Sequence, residues 1–162
     1  MSFSVLDFAT RFTNDIARPN RFRVMIGSED ISIKCHTCSL PARGIMTHEV
    51  RSNSAPIKFP YSQSYDPVTF SFYADGNLDS RRYFDEWHSD IVDFAQNTLS
   101  FFSEYTKDVD IEVLNRKGEP TYKVRLYTAW PMNIGVVDYS YGNTNSFQNI
   151  TATLSYTYWE PI

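Results

Sequence analysis

Residues 147–159, FQNITATLSYTYW, alternate for a dozen positions: Ile150, Ala152, Leu154, Tyr156 and Tyr158 fall on one side, and Thr151, Thr153, Ser155 and Thr157 on the other. Successive side chains of a strand point to opposite faces, so a period of two predicts a strand with one face buried. Its length predicts the longest strand of the chain. The same period recurs upstream. Phe22, Val24 and Ile26 alternate with Arg21, Arg23 and Met25, Gly27-Ser28-Glu29-Asp30 supplies a turn, and Ile31 and Ile33 resume the alternation as a hairpin. Val68, Phe70 and Phe72 alternate with Thr69, Ser71 and Tyr73. Val109, Ile111 and Val113 alternate with Asp110 and Glu112, Asn115-Arg116-Lys117-Gly118 reads as a hairpin turn with glycine in the left-handed position, and Tyr122, Val124 and Leu126 return.

One stretch changes period. Leu78, Phe84, Trp87, Ile91 and Phe94 fall on a helical stripe, with Arg81, Arg82, Asp85, Glu86, Ser89 and Asp90 on the other side. This predicts a helix over about residues 77–97, lying across a sheet with one face outward. With no repeated alternation of strand and helix, the fold class is mainly β: two packed antiparallel sheets, sandwich- or barrel-like, one flanking helix and a long extended loop. A chain of 162 residues is expected to be one domain, 1–162. Its first twenty residues read as an arm, in which Phe3, Leu6, Phe8, Phe12 and Ile16 suit a short helix or an irregular segment.

Between residues 41 and 67 no period persists, and Pro41, Pro56, Pro60 and Pro67 interrupt the ladder that a central strand would need. This is a loop or protruding hairpin, and so long a one in a compact domain has a function or is disordered. Ile45, Met46, Val50, Ile57, Phe59 and Tyr61 are too apolar for a solvated linker, so the segment is expected to be covered by something.

Composition excludes more than it selects. The net charge of −4 argues against gripping a nucleic-acid backbone. No apolar run approaches the roughly 20 residues that a membrane crossing needs, and the N-terminus lacks a secretory pattern. A cytoplasmic setting with reduced thiols is expected. In a strand, Cys35 and Cys38 point to opposite faces about 10 Å apart, too far for a disulfide. With no second cysteine pair and no ligand-spaced partner for His48 or His88, the two thiols read as structural, not as a redox or zinc site. Asp108, Asp110 and Glu112 read as a solvated strand face in preference to an acid/base cluster. The sequon Asn149-Ile150-Thr151 reads as accidental, and no phosphate loop or nucleophile elbow occurs. No enzyme chemistry and no cofactor are expected.

Five short motifs in order carry a resemblance: Ala17-Arg18-Pro19-Asn20-Arg21-Phe22, Cys35 through Leu40-Pro41-Ala42, Phe84-Asp85-Glu86-Trp87, Trp130-Pro131-Met132-Asn133-Ile134-Gly135, and Tyr158-Trp159-Glu160. Together the chain resembles the tail tube proteins of T-even-like contractile-tailed bacteriophages, related in fold to the inner tube of type VI secretion systems. The resemblance implies a structural virion protein that assembles in the host cytoplasm into stacked hexameric rings, the hollow conduit for DNA ejection. Implied partners are further copies of itself, the tail sheath outside, the tape measure protein and passing DNA inside without sequence-specific binding, and the baseplate and tail terminator at the ends. No membrane insertion is implied.

Under this resemblance Arg18, Pro19, Asn20, Leu40, Pro41, Trp87, Trp130, Pro131, Asn133, Gly135 and Trp159 are fold-defining packing residues. The segment carrying Ile45, Met46, His48, Val50, Ile57, Phe59 and Tyr61 is the candidate for reaching between rings, and Thr151, Thr153, Ser155 and Thr157 are candidates to line the lumen. The loop and Cys38 are where the chain departs from the family. Competing readings are a baseplate tube initiator of the same fold, a carbohydrate-binding β-sandwich, and, least, an enzyme with Cys35 or Cys38 as nucleophile and His36 or His88 as base.

Overall fold

The computed structural model describes residues 18–31, 34–51, 55–93, 96–142 and 146–162. Its strands are β1 (Phe22–Ile26), β2 (Glu29–Asp30), β3 (Cys35–Cys38), β4 (Gly44–Val50), β5 (Ile57–Ser64), β6 (Val68–Tyr73), β7 (Val92–Asp93), β8 (Thr98–Leu99), β9 (Lys107–Leu114), β10 (Pro120–Ile134), β11 (Asn149–Ser155) and β12 (Tyr158–Pro161). The main sheet runs β2-β1-β9-β10-β11-β6-β3, with β12 also on β10, and its pairs are antiparallel.

β10, at 15 residues, joins two layers. Val124–Tyr127 pair with β12, and Trp130–Ile134 pair with β11. Between these halves the register against β9 shifts, and Thr128 takes φ 52. Positive φ is rare for a β-branched residue. It is held by the Thr128 N–H donating to Asp108 Oδ1 (3.1 Å) and by the Thr128 and Thr157 hydroxyls at 2.6 Å. One layer therefore holds β1, β2, β9, β12 and the first half of β10; the other holds β3, β6, β11 and the second half.

The kink corrects the expectation of one longest strand over 147–159. β11 and β12 follow the two halves of β10, so the chain breaks at Tyr156 and Thr157. The alternation changes phase there. Tyr156 is buried, Tyr158 turns outward to stack on Tyr127 (4.5 Å, 14°), and Trp159 packs on the core.

Both layers turn their apolar faces into one core. Val24, Ile26, Val109, Ile111, Val124 and Leu126 come from one, Val68, Phe70, Phe72, Ala152 and Leu154 from the other. The sandwich stays open at β2 and β3. The helix spans Asp79–Ile91, shorter than 77–97, and buries Phe84, Trp87 and Ile91. At roughly 1.5–3 kcal/mol per large apolar side chain, this stripe is enough to seat it. Leu78 at φ 56 fixes its start, where Asp75 Oδ1 accepts the Asp79 N–H (2.8 Å). At its end the chain turns extended into β7, which pairs with β8. A second, one-turn helix, Phe102–Tyr105, was not expected; its Tyr105 carbonyl accepts from Trp87 Nε1 (2.6 Å).

The turn after β9 is as expected, with Gly118 at φ 82 and Asn115 Oδ1 accepting from the Lys117 and Glu119 N–H groups. The first hairpin returns only through β2, with Ile31 half-buried beyond it, and Ile33 lies outside the described residues. So do Phe94 and the arm through residue 17.

The proline-punctuated segment is a hairpin. Among the described residues β4 and β5 pair only with each other, as a separate two-stranded sheet. Pro60 is accommodated where the register shifts, Met46 facing Ser62 and Thr47 facing Pro60, which leaves Tyr61 as an extra residue. A bulge on a two-stranded ribbon tolerates the missing donor.

Candidate assembly interface

Pairing across β4 and β5 puts Val50 beside Ile57 and His48 beside Phe59, and Tyr61 reaches Met46 Sδ through its hydroxyl at 3.6 Å. Directly opposed residues share a face, so one side of the ribbon carries Met46, His48, Val50, Ile57, Phe59 and Tyr61. Ile45 looks the other way. Apart from His48, which is also exposed, these residues and Ile45 keep 47–66% of their surface accessible. A two-stranded ribbon is marginal in water by itself.

Its feet are fixed to the domain. The Arg43 guanidinium lies 4.1 Å over the Trp159 ring and donates to the Trp159 carbonyl (3.2 Å), while Trp159 Nε1 donates to the Ala42 carbonyl (3.3 Å). At the other foot the Tyr156 hydroxyl donates to the Asp66 carbonyl (2.8 Å), and its ring lies 6.1 Å from Tyr65. Burial pushes the Tyr156 hydroxyl up to about 12, so it remains a donor. Arg43 and Tyr156 carry no signal in the sequence that marks them as anchors.

The two outer sheet faces differ in chemistry. On β3, β6 and β11, Thr153 pairs with Thr69, Thr151 with Ser71, and Ser71 with Thr37, and the Thr69 and Thr153 hydroxyls are 3.1 Å apart. Ser155 continues this uncharged row, whereas Thr157 sits in the break between β11 and β12. The other layer presents a charged ladder. Arg125 holds Asp110 through two bonds (2.7 and 2.8 Å), Lys123 Nζ lies 3.1 Å from Asp110 and 3.3 Å from Glu112, and Arg23 lies 3.4 Å from Glu112. Asp110 and Glu112, expected on a solvated face, are only 8% and 6% exposed, roofed by the stems of these cations. The bonds from Arg125 hold the Asp110 carboxyl below the usual range.

The cysteines are corrected too. Two residues, His36 and Thr37, oppose Ser71, so Cys35 pairs with Phe72 and Cys38 with Phe70, and both thiols face inward. A β-bulge reverses the alternation. Both are free, and burial pushes both up to about 12. Among the described residues no three His, Cys, Asp or Glu side chains group to hold a metal, and no helix is long and apolar enough to cross a membrane. A cleft of about 420 Å³ between β2 and the helix has its Lys34 ammonium 2.7 Å from Asp75 and 3.7 Å from Asp79.

The motif residues divide between packing and surface. Trp87 and Pro131 are buried, as is Pro41; Trp130, Gly135 and Trp159 are half-buried; Arg18, Pro19, Asn20, Leu40 and Asn133 are exposed. Asn133 faces Thr153, and Gly135 donates to the Thr151 carbonyl (2.7 Å) and accepts from Arg81 (2.7 Å). A Cβ on Gly135 would collide with Thr151. No tryptophan forms an exposed platform for a sugar ring.

A family model described as phage tail tube protein matches residues 3–161. A comparison with curated protein sequences finds no match. Among solved structures, a chain in the extended-state sheath/tube terminator of the PVC extracellular contractile injection system is similar, at TM-score 0.74 and 18% identity over 93% of this chain and 99% of that one. So is one in the sheath–tube complex of that system (TM-score 0.68, 18% identity, 99% of each chain). A type six secretion system protein is similar at TM-score 0.51 and 6% identity, over 86% of this chain and 81% of that one.

Proposed function

The chain belongs to the phage tail tube protein family, and from that premise we propose that copies of it close into hexameric rings that stack as the inner tube of a contractile tail. It is a structural protein, not an enzyme. The β4–β5 hairpin is the element that reaches from ring to ring. The observation that carries this is the pairing of an exposed apolar stripe with firmly fixed feet: the ribbon is held out from the domain, ready to be covered.

Two outer faces of opposite character support an inside and an outside. The hydroxyl row of Thr151, Thr153 and Ser155 with Thr69 and Ser71 suits the lumen, because it holds no cation to retain a phosphate. Thr157 lies at its margin. The tape measure protein and then DNA pass this wall without sequence-specific contact. The charged ladder suits the outer wall, against the tail sheath, with baseplate and terminator meeting the two ends of the stack. Assembly in the host cytoplasm suits two reduced, inward thiols.

Negative-stain microscopy of the purified protein, with light scattering on the same sample, tests the reading. Hollow sixfold rings or tubes are expected from the wild type. Phe59→Asp is expected to keep the circular dichroism and melting of the wild type, because Phe59 is exposed, and to stop at single rings or monomers. Tubes of wild-type length from this variant would remove the hairpin from the ring-to-ring role.

A further inference from the structure

The layer formed by β3, β6, β11 and the second half of β10 has two ends. At one, Val68 pairs with Leu154 and the hairpin foot Tyr65–Asp66 runs directly into β6. At the other, about 17 Å along β6, Tyr73 pairs with Asn149. There the Tyr73 ring meets His36 edge-on at 4.6 Å and Phe147 edge-on at 6.3 Å. All three are exposed, Phe147 to 87%. Backbone bonds hold the segments together: the Tyr73 N–H donates to the Lys34 carbonyl and the Ala74 N–H to the Gln148 carbonyl, both at 2.8 Å. The result is a preorganised aromatic rim on which Phe147 stands exposed.

Of the exposed apolar surfaces among the described residues, these two stand at opposite ends of one sheet. A contact about a two-fold axis would pair hairpin with hairpin and stop at two copies. A head-to-tail repeat needs two different, complementary surfaces and can continue indefinitely. We propose that the rim of His36, Tyr73 and Phe147 is the acceptor for the apolar face of the hairpin from the next copy of this chain, which gives the stack its direction. This rests on the reading of the hairpin as the ring-to-ring element. A shift along the strands brings the two surfaces together, and ring faces matched by aliphatic side chains need no charge pairing.

The experiment mixes two variants. Phe59→Asp disables the hairpin and leaves the rim; Phe147→Asp disables the rim and leaves the hairpin. Circular dichroism checks that both fold, and sedimentation velocity and negative stain read assembly at concentrations where the wild type associates. Each variant alone is expected to lose at least tenfold in association. Their equimolar mixture is expected to recover a two-layer species that grows no further, because one intact hairpin meets one intact rim. A mixture no more associated than its components overturns the rim as acceptor. If Phe147→Asp assembles like the wild type while Phe59→Asp does not, the rim falls and the hairpin reading stands. If Phe59→Asp assembles like the wild type, or the wild type does not associate at all, the underlying reading falls with it.

Discussion

Asp110 is a carboxylate almost sealed from water, and its bidentate bond with Arg125 makes its contribution to stability depend on pH. A carboxyl whose pKa is depressed by folding binds fewer protons folded than unfolded. Its contribution is complete above the unfolded value of about 4 and is lost as pH falls through the lower folded value. Asp110→Asn is therefore expected to lower stability at pH 7 by about 1–3 kcal/mol, discounted for partly exposed cations, and to flatten the acid limb below about pH 4. Urea unfolding of both proteins between pH 3 and 7 checks this; equally steep acid limbs would show that Asp110 carries none of it. The period of two assigns Asp110 and Glu112 to the polar face of β9, and that is where they lie. Their burial was not legible, because it comes from Arg23, Lys123 and Arg125 on neighbouring strands. Cys38 was misassigned for a related reason: a bulge is set by the partner strand, here Ser71, and leaves no mark in the cysteine spacing.

The hairpin is the element we propose to join one ring to the next, and its pose depends on few contacts. Arg43→Ala removes the cation over Trp159 and a bond to the Trp159 carbonyl. An exposed cation–π contact contributes about 0.5–1 kcal/mol, so global stability is expected to change by no more than that. Hydrogen exchange of residues 44–50 and 57–64 is expected to quicken several-fold, with β9 and β10 unchanged. Unchanged exchange in the hairpin would mean that Tyr156 and the β4–β5 ladder suffice. The apolar content of this segment was legible, and so was its unsuitability as a central strand. Its pairing was not, because Pro60 argues against a strand unless a bulge absorbs it. The helix stripe was legible at Phe84, Trp87 and Ile91, while its ends were not: Leu78 in a left-handed conformation and the β7–β8 pair stop it short of the apolar pattern.

At the scale of the whole molecule, each copy carries a net charge of −4, so copies repel as they gather. Salt screens that repulsion over about 10 Å at 0.1 M, while apolar burial at the proposed hairpin–rim contact would not weaken. The concentration needed for assembly is expected to fall as sodium chloride rises from about 50 to 500 mM, read by pelleting; a rise would mean that attractive ion pairs dominate the contact. The sequence by itself determined the mainly β class, the core-facing apolar residues of β1, β6, β9 and β10, the flanking helix, the apolar hairpin segment and, through five short motifs, the family. These are legible because periodicity and motif spacing are local, written in neighbouring residues. Only the tertiary structure decided that β10 kinks at Thr128 and splits 147–159 into two strands, that Asp110 and Glu112 are roofed, and that both thiols face inward. It also decided that the hairpin and the aromatic rim stand at opposite ends of one layer. Such features arise from contacts between residues far apart in the chain, as with Arg43 and Trp159 at a separation of 116 residues, and no local pattern encodes them.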